Sequence, residues 1–185
     1  MSNKKTYLLL ILILIVALLL RVYKIDAKAD GTDEKWSFIM ADQILEGAFL
    51  QNVGTHAHVP LFYVFLAPFW WLSSKSILAL RIVMILLGLI SIGMTFFFAK
   101  KLFGEKIALL TAYLLALSPF HLIYSQHIRA YVLLMIMCIS AIIIMTKYLK
   151  DEKIKWLIIL TVIYVAAFYI HMFAAFFVFA QYSVF

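Results

Sequence analysis

Carboxylates are concentrated in one short part of this sequence. Six of its nine acidic residues lie between Arg21 and His58, and Asp33 and Glu34 form an adjacent pair there. A positioned carboxylate can remove a proton from an attacking hydroxyl or amine, so the pair is a candidate general base. A structural role stays open, because acids at the start of a helix predicted near residues 33–46 would favour the helix dipole.

A second polar segment has the sequence SPFHLIYSQHIRAY, residues 118–131. It contains Tyr124, Gln126, His127 and Arg129. A guanidinium can hold a phosphate by paired hydrogen bonds, and an imidazole can serve as acid, base or ligand. The segment is therefore a candidate anion site, although an arginine between tyrosines also fits a headgroup anchor at a helix end.

Composition places these residues in a membrane protein. Apolar residues make up 66% of the 185-residue chain, charged residues make up 14%, and the mean hydropathy is +1.06. Soluble domains have roughly 45–50% apolar and about 25% charged residues. The net charge of +7 does not indicate nucleic-acid binding, because the lysines lie at the ends of apolar runs. A single cysteine excludes a disulfide framework or a cysteine-based metal site.

The lengths of the apolar runs predict an all-α, polytopic membrane protein with about five or six transmembrane helices. An external loop over residues 24–76 is expected to carry interfacial helices near residues 33–46 and 60–72. The predicted spans cover residues 6–23, 77–99, 107–120, 128–147 and 155–171, with the start of another at 173–185.

Three lysine clusters predict the orientation. They lie at the N-terminus and within residues 100–106 and 147–155, and the positive-inside rule places all three in the cytoplasm. Both polar segments and His171 then face outward, so that all five histidines share one side. We therefore expect a multi-pass plasma-membrane protein with a cytoplasmic N-terminus, in which Arg21 and Arg81 are interfacial anchors.

This ordered set of residues resembles membrane glycosyltransferases of the GT-C fold. The nearest group is the superfamily of protein mannosyltransferases and aminoarabinose transferases, which use polyprenyl-phosphate sugars. The matching segments are LRVYKID, the DE pair at 33–34, HVPL at 58–61, SPFHLIYSQHIRAYVLL and YIHMFAAFFVFAQ. The resemblance runs from about Arg21 to Gln181. Because the sequence ends inside an apolar run, we expect it to be the N-terminal part of such a protein.

The resemblance implies transfer of a sugar from a polyprenyl-phosphate donor to a lipid, glycan or protein acceptor on the outer face of the membrane. It implies that Asp33 is the catalytic carboxylate, with Glu34 beside it. The implied donor-phosphate site consists of Arg129, Tyr124, Gln126 and His127, and His58 and His171 are further candidates. Asp42 and Glu46, later in the acidic segment, are expected to be solvating charges only.

One departure from the family pattern concerns metal binding. His127 stands where the family usually has an acid, so a carboxylate-bound metal loses a ligand. A divalent ion is left open, and no other cofactor is expected. The expected partners are the sugar donor, the acceptor and membrane lipids, without nucleic acid. The alternative function is a non-catalytic transporter or flippase-like protein that binds lipid-linked phosphates. Such a protein is expected to show discontinuous helices and an internal repeat.

Overall fold

A computed structural model describes residues 3–26, 32–48 and 60–184 of the chain. Every regular element in these residues is an α-helix. In chain order the helices are α1 (Asn3–Val22), α2 (Thr32–Leu45), α3 (Leu61–Leu72), α4 (Ile77–Phe103), α5 (Glu105–Leu117), α6 (Pro119–Tyr124), α7 (Tyr131–Asp151), α8 (Ile154–Ile170) and α9 (Ala174–Val184). Helices α2 and α3 fall close to the two predicted interfacial segments, whose position at the membrane surface stays a prediction.

Three of these helices, α1, α4 and α7, are long and apolar enough to cross a membrane. Helices α3 and α8 and the stretch Ala174–Ser183 are apolar but shorter. The predicted class, an all-α polytopic membrane protein, is therefore confirmed. The limits of each crossing and the side that each loop faces stay predictions.

The chain divides into two compact units, and α1, α4, α5 and α6 belong to the first. Helix α5 presents a buried alanine once per turn, at Ala108, Ala112 and Ala116. Small residues in a stripe allow helix backbones to approach closely in a membrane. These alanines pack with Ala17 of α1 and Phe96 of α4 in one apolar core.

Helix α5 ends before residue 120, the limit predicted for that span. Ser118 has extended backbone angles, φ −59° and ψ 121°, which a residue before proline favours. Pro119 then begins the six-residue helix α6, and the Ser118 hydroxyl accepts a hydrogen bond from the His121 backbone N–H at 3.5 Å. The Ser-Pro pair therefore starts a separate helix that carries His121 and Tyr124.

The second unit contains α2, α3, α7, α8 and α9. Helix α2 packs on α3, and α8 contacts α3, α7 and α9. Helices α7 and α8 form a hairpin whose core includes Ala141, Met145 and Leu160. Only residues 152 and 153 separate the two helices, so the start of α7 and the end of α8 lie at the same end of the hairpin.

Candidate functional site

Helix α2, which begins with the acidic pair, is held against α3 by polar and aromatic contacts. The rings of Phe38 and Trp70 stack, with centroids 5.2 Å apart and planes 10° apart. The Trp70 indole N–H donates to Asp42 Oδ1 at 3.0 Å. Lys75 Nζ lies 2.7 Å from the same oxygen. These contacts fix one face of α2 on α3 and on the turn that follows it.

Asp42 is therefore not merely a solvating charge, and that expectation is wrong. Burial tends to raise the pKa of this carboxyl, but hydrogen bonds from Lys75 and Trp70 outweigh it and hold the pKa below its ordinary value. Asp42 is a structural contact of α2. Glu46, in the turn after the helix, is exposed.

Asp33 and Glu34 occupy the first turn of α2. The unpaired N–H groups of a helix start carry a partial positive charge, which stabilises a carboxylate there. The Glu34 side chain is buried, with 2% of its surface exposed. The side chain of Asp33 and the whole of His58 lie outside the described part of the chain. The structure thus gives the backbone position of the pair and the burial of its second member.

Three aromatic rings in successive contact lie beside Arg129 at the end of the α7–α8 hairpin. The Arg129 guanidinium carbon is 5.9 Å from the centroid of the Tyr131 ring. The Tyr131 and His171 rings have centroids 5.2 Å apart, and those of His171 and Phe173 are 4.7 Å apart. The hairpin thus joins two predicted site residues, Arg129 and His171, through Tyr131, which the prediction did not include.

The His171 ring has a defined hydrogen-bonding polarity. The backbone N–H of Phe173 donates to His171 Nδ1 at 3.1 Å. A neutral imidazole with Nδ1 as acceptor carries its proton on Nε2. His171 Nε2 is therefore a donor, which is the polarity that an anionic oxygen requires.

The other predicted donor-binding residues lie in the first unit, at the end of α6. Tyr124 is the last residue of α6 and is 38% exposed. Gln126 is buried, and its Nε2 donates to the carbonyl oxygen of Arg21 at 2.8 Å. His127 is half-buried. One turn thus brings these three residues together, while their contact with a donor phosphate stays a prediction.

Arg21 is completely buried, so its predicted role as an interfacial anchor is wrong. Its Nε donates to Ser125 Oγ at 2.7 Å. Its Nη1 donates to the carbonyl oxygens of Ala17 at 2.9 Å and Ala116 at 3.2 Å. Its Nη2 donates to His121 Nδ1 at 2.7 Å. The guanidinium therefore binds α1, α5, α6 and the following turn. These acceptors offset the cost of burying a charged group.

Arg81 shows the same departure from prediction. Only 3% of it is exposed, and its Nη1 donates to the carbonyl oxygen of Ile25 at 2.8 Å. This contact ties α4 to the turn that follows α1. Arg21 and Arg81 both bind protein carbonyl groups instead of lipid headgroups.

His121 continues the Arg21 network toward α4. Because Arg21 donates to Nδ1, the neutral ring carries its proton on Nε2, which donates to Ser91 Oγ at 2.8 Å. Ser91 Oγ in turn donates to the carbonyl oxygen of Gly88 at 2.7 Å. Burial and then the positive charge of Arg21 lower the pKa of His121 to about 4. The ring is therefore neutral at physiological pH.

Within the described ranges, no group of three or more histidine, cysteine, aspartate or glutamate side chains could hold a metal ion. The groups gathered at the α7–α8 hairpin are a guanidinium, an imidazole N–H donor and aromatic rings, which suit an anion. Dependence on a divalent ion stays a prediction.

Residues 56–185 match the family described as dolichyl-phosphate-mannose-protein mannosyltransferase. The chain belongs to this family. The match covers more than half of the sequence and includes His58, the turn after α6, Arg129 and His171, but it begins after Asp33 and Glu34. No curated protein and no solved structure gives a significant match.

Membership of the mannosyltransferase family confirms the resemblance to GT-C glycosyltransferases. The chain is thus a membrane protein of a glycosyltransferase family, consistent with its apolar helices. The family description names a sugar carried on a lipid phosphate and a protein acceptor.

The buried network around Arg21 was not predicted from the sequence. An arginine at the end of an apolar run predicts a surface anchor, and Arg21 has that position in the sequence. The one opposing signal in the sequence is Ala17, a small residue one turn before Arg21, because Ala116 and Gly88 become its neighbours only in the fold. That signal is weak in this mannosyltransferase-family chain, because small residues also occur at ordinary helix contacts.

Proposed function

We propose that this protein transfers a sugar from a polyprenyl-phosphate donor to a lipid, glycan or protein acceptor on the outer face of the plasma membrane. The observation that carries the proposal is membership of a family described by a lipid-phosphate sugar donor. The polar groups of the second unit support it, because they supply a carboxylate for the acceptor and positive or donor groups for a departing phosphate.

The proposed base is Asp33. It takes the proton of the acceptor as the acceptor's nucleophilic atom forms a bond to the anomeric carbon of the sugar. The bond from that carbon to the phosphate oxygen breaks, and the lipid phosphate leaves with the electron pair. The location of Asp33 in the first turn of α2, which is held on α3 through Trp70 and Asp42, supports a carboxylate on a rigid element. Glu34, its neighbour, is the second carboxylate of the proposed site.

The departing phosphate gains negative charge on its bridging oxygen, and fixed positive or N–H groups stabilise such charge. Arg129 and the Nε2–H of His171 have this character, and both side chains contact the Tyr131 ring. By the family pattern, Tyr124, Gln126 and His127 complete the donor-binding residues. His58 is a further candidate, from the loop before α3.

The test compares Asp33→Asn with Glu46→Gln in the complete protein in membranes, supplied with defined polyprenyl-phosphate sugars. Asparagine keeps the size of the side chain but cannot take a proton. We expect Asp33→Asn to lower transfer by about 10²–10⁴-fold, the usual contribution of a positioned base. Glu46→Gln removes an exposed charge after the same helix and should leave transfer unchanged.

Two results separate the proposal from its rivals. Near-normal transfer by Asp33→Asn would show that the acidic pair only stabilises the start of α2. Binding of polyprenyl phosphates by the unmodified protein, with no transfer from any of these sugars, would favour the transporter or flippase-like alternative.

The proposed outer location of the site has its own test, made with single cysteines in a Cys138→Ser background. Gly31→Cys, beside the acidic pair, should react with an impermeant thiol reagent on intact cells. Lys101→Cys and Lys150→Cys lie in lysine clusters and should be protected. Labelling at either lysine position from outside would contradict the proposed orientation.

A further inference from the structure

The turn after α6 is held in place by residues far from it in the sequence. Ser125 is completely buried and accepts the Nε–H of Arg21, while its own hydroxyl donates to the Leu122 carbonyl oxygen at 3.0 Å. Gln126, the next residue, donates to the Arg21 carbonyl oxygen at 2.8 Å. The end of α1 therefore binds this turn through both the side chain and the backbone of one arginine.

Helix α4 supports the same turn by shape. A Cβ atom added at Gly88 would lie 2.6 Å from Ser125 Cβ and 3.3 Å from Ser125 Oγ, with Arg21 Nε at 3.6 Å. Two non-bonded carbon atoms cannot lie 2.6 Å apart, so α4 or the turn would have to move. Ser125 Cβ cannot move alone, because it is attached directly to the backbone of the turn. Gly88 thus marks a place where α4 and the turn touch without room for a methyl group.

The guanidinium of Arg21 is directed entirely into the protein. The residue is completely buried, and its contacts are Ser125, Ala17, Ala116 and His121. Neither it nor Gly88 has surface to offer a substrate. Any effect of these residues on sugar transfer is therefore indirect, through the elements that they contact, which include the turn after α6.

We propose that Arg21 and Gly88 are positioning residues for glycosyl transfer. They set the location of the turn that carries Tyr124, Gln126 and His127, the residues assigned to the donor phosphate. This inference rests on the proposed function for the role of those three residues. The hold on the turn itself rests on the contacts of Ser125 and Gln126.

The experiment compares Gly88→Ala with Gly93→Ala in the complete protein. Both substitutions add one methyl group to α4, but nothing lies within 4 Å of a Cβ at Gly93. Backbone hydrogen exchange at residues 124–128 reports the turn without reference to activity. Donor KM and kcat, measured with a polyprenyl-phosphate sugar that the unmodified protein uses, report the consequence for transfer.

We expect faster exchange at residues 124–128 in Gly88→Ala, an increase in donor KM, and a loss of about 10²-fold in kcat/KM, the scale on which small displacements of a site act. Gly93→Ala should match the unmodified protein in all three measurements. Ser125→Ala, which removes the acceptor of Arg21 Nε without adding bulk, should reproduce the faster exchange and the higher KM. It takes the place of Gly88→Ala if that variant does not fold.

The readouts distinguish failure of this inference from failure of the proposed function. Unchanged exchange in both Gly88→Ala and Ser125→Ala would overturn the positioning role, whatever the protein catalyses. Faster exchange with unchanged KM and kcat would show that the turn moved without consequence. That result would overturn the positioning role in transfer and remove the turn from the donor site, while the Asp33→Asn test would still stand.

Discussion

Each unit of the molecule contains an arginine associated with a histidine, and the two groups differ in burial. In the first unit, the completely buried Arg21 donates directly to His121 at 2.7 Å. In the second unit, Arg129 and His171 are half-buried, and both contact the Tyr131 ring. The same residue types thus form an internal support in one place and a partly exposed group in the other.

The difference follows from what burial requires of a guanidinium. A buried N–H group needs an acceptor, and the acceptors of Arg21 come from α1, α5, α6 and the next turn. Arg129 and His171, in contrast, both contact the Tyr131 ring, whose plane is tilted by 40° from that of His171. Accessibility and the source of the acceptors, more than residue type, therefore distinguish the structural Arg21 from Arg129, the proposed phosphate-binding arginine.

The largest effect on transfer in this comparison is expected at Arg129. Arg129→Gln keeps a planar polar group but removes the positive charge, so we expect transfer to fall by about 10²–10³-fold, the range found for lost transition-state donors. The thermal midpoint in detergent should change little, because the side chain is half-buried. Transfer assays and a melting curve on the same preparation measure both.

Arg129→Lys sharpens this prediction. Lysine retains the charge but not the paired N–H geometry of a guanidinium, so partial activity is expected. Full activity in Arg129→Gln would show that the residue only anchors the end of α7. The proposed role of Arg129 in binding the donor phosphate would then be wrong.

Arg21→Met should lower stability in addition to its effect on transfer through the turn after α6. Methionine can fill part of the space, but Ser125 Oγ and His121 Nδ1 lose their donor, and each buried acceptor left without one costs about 1–3 kcal/mol. We expect a clear fall in the thermal midpoint in detergent, by more than in Arg129→Gln. A midpoint unchanged from that of the unmodified protein would mean that the buried network contributes nothing to stability.

The sequence was sufficient for the fold class and for the family, because both depend on local features of the chain. Long apolar runs predict helices that α1, α4 and α7 confirm. The ordered polar segments predict the family that residues 56–185 match. Both predictions can be made without knowing which residues are in contact in the fold.

Contacts between distant residues were not predictable in the same way. The contact of Arg21 with Ser125 joins residues 104 positions apart, and that of Trp70 with Asp42 joins residues 28 apart. A charged residue beside an apolar run has the same local pattern whether it faces lipid headgroups or a buried serine. For this reason the roles predicted for Arg21, Arg81 and Asp42 were wrong, although the helices around these residues were predicted.

The pH dependence of stability tests the buried half of the comparison. The pKa of His121 is about 4 in the folded protein and 6.5 when the group is unperturbed. Between these values the unfolded chain binds a proton that the folded chain does not, so stability should fall as the pH drops from 6.5 to 4 and be constant above that range. Each tenfold change in proton affinity corresponds to about 1.4 kcal/mol, so the free energy of unfolding should fall by about 3 kcal/mol in all.

His121→Gln provides the control for this measurement. Glutamine removes the titrating group, so the decline in the thermal midpoint between pH 6.5 and 4 should become shallower than in the unmodified protein. The lower starting stability of the variant does not affect the comparison, because the slope is the quantity measured. Equal slopes in the two proteins would assign the acid sensitivity to other groups and would show that His121 is not held neutral by the network.

The smallest effect is expected from Asp42→Asn, which tests whether the second unit contains a pH-dependent support of its own. Asparagine keeps an oxygen for the Trp70 indole N–H and loses only the ion pair with the exposed Lys75, and such pairs contribute little.

The pKa of the Asp42 carboxyl lies below its ordinary 3.8 in the folded protein. Its contribution to stability is therefore present above pH 3.8 and is lost as the pH falls through the lower folded pKa. The pKa of Lys75 lies above its ordinary 10.5, so its contribution persists until the pH rises through that higher value. The difference in thermal midpoint between Asp42→Asn and the unmodified protein should therefore be small and the same at pH 5, 7 and 9, whereas the effect of His121→Gln should change below pH 6.5. A large loss of transfer in a well-folded Asp42→Asn protein would instead place this carboxylate in the reaction, and helix α2 would then present its chemistry from its middle and not from its first turn.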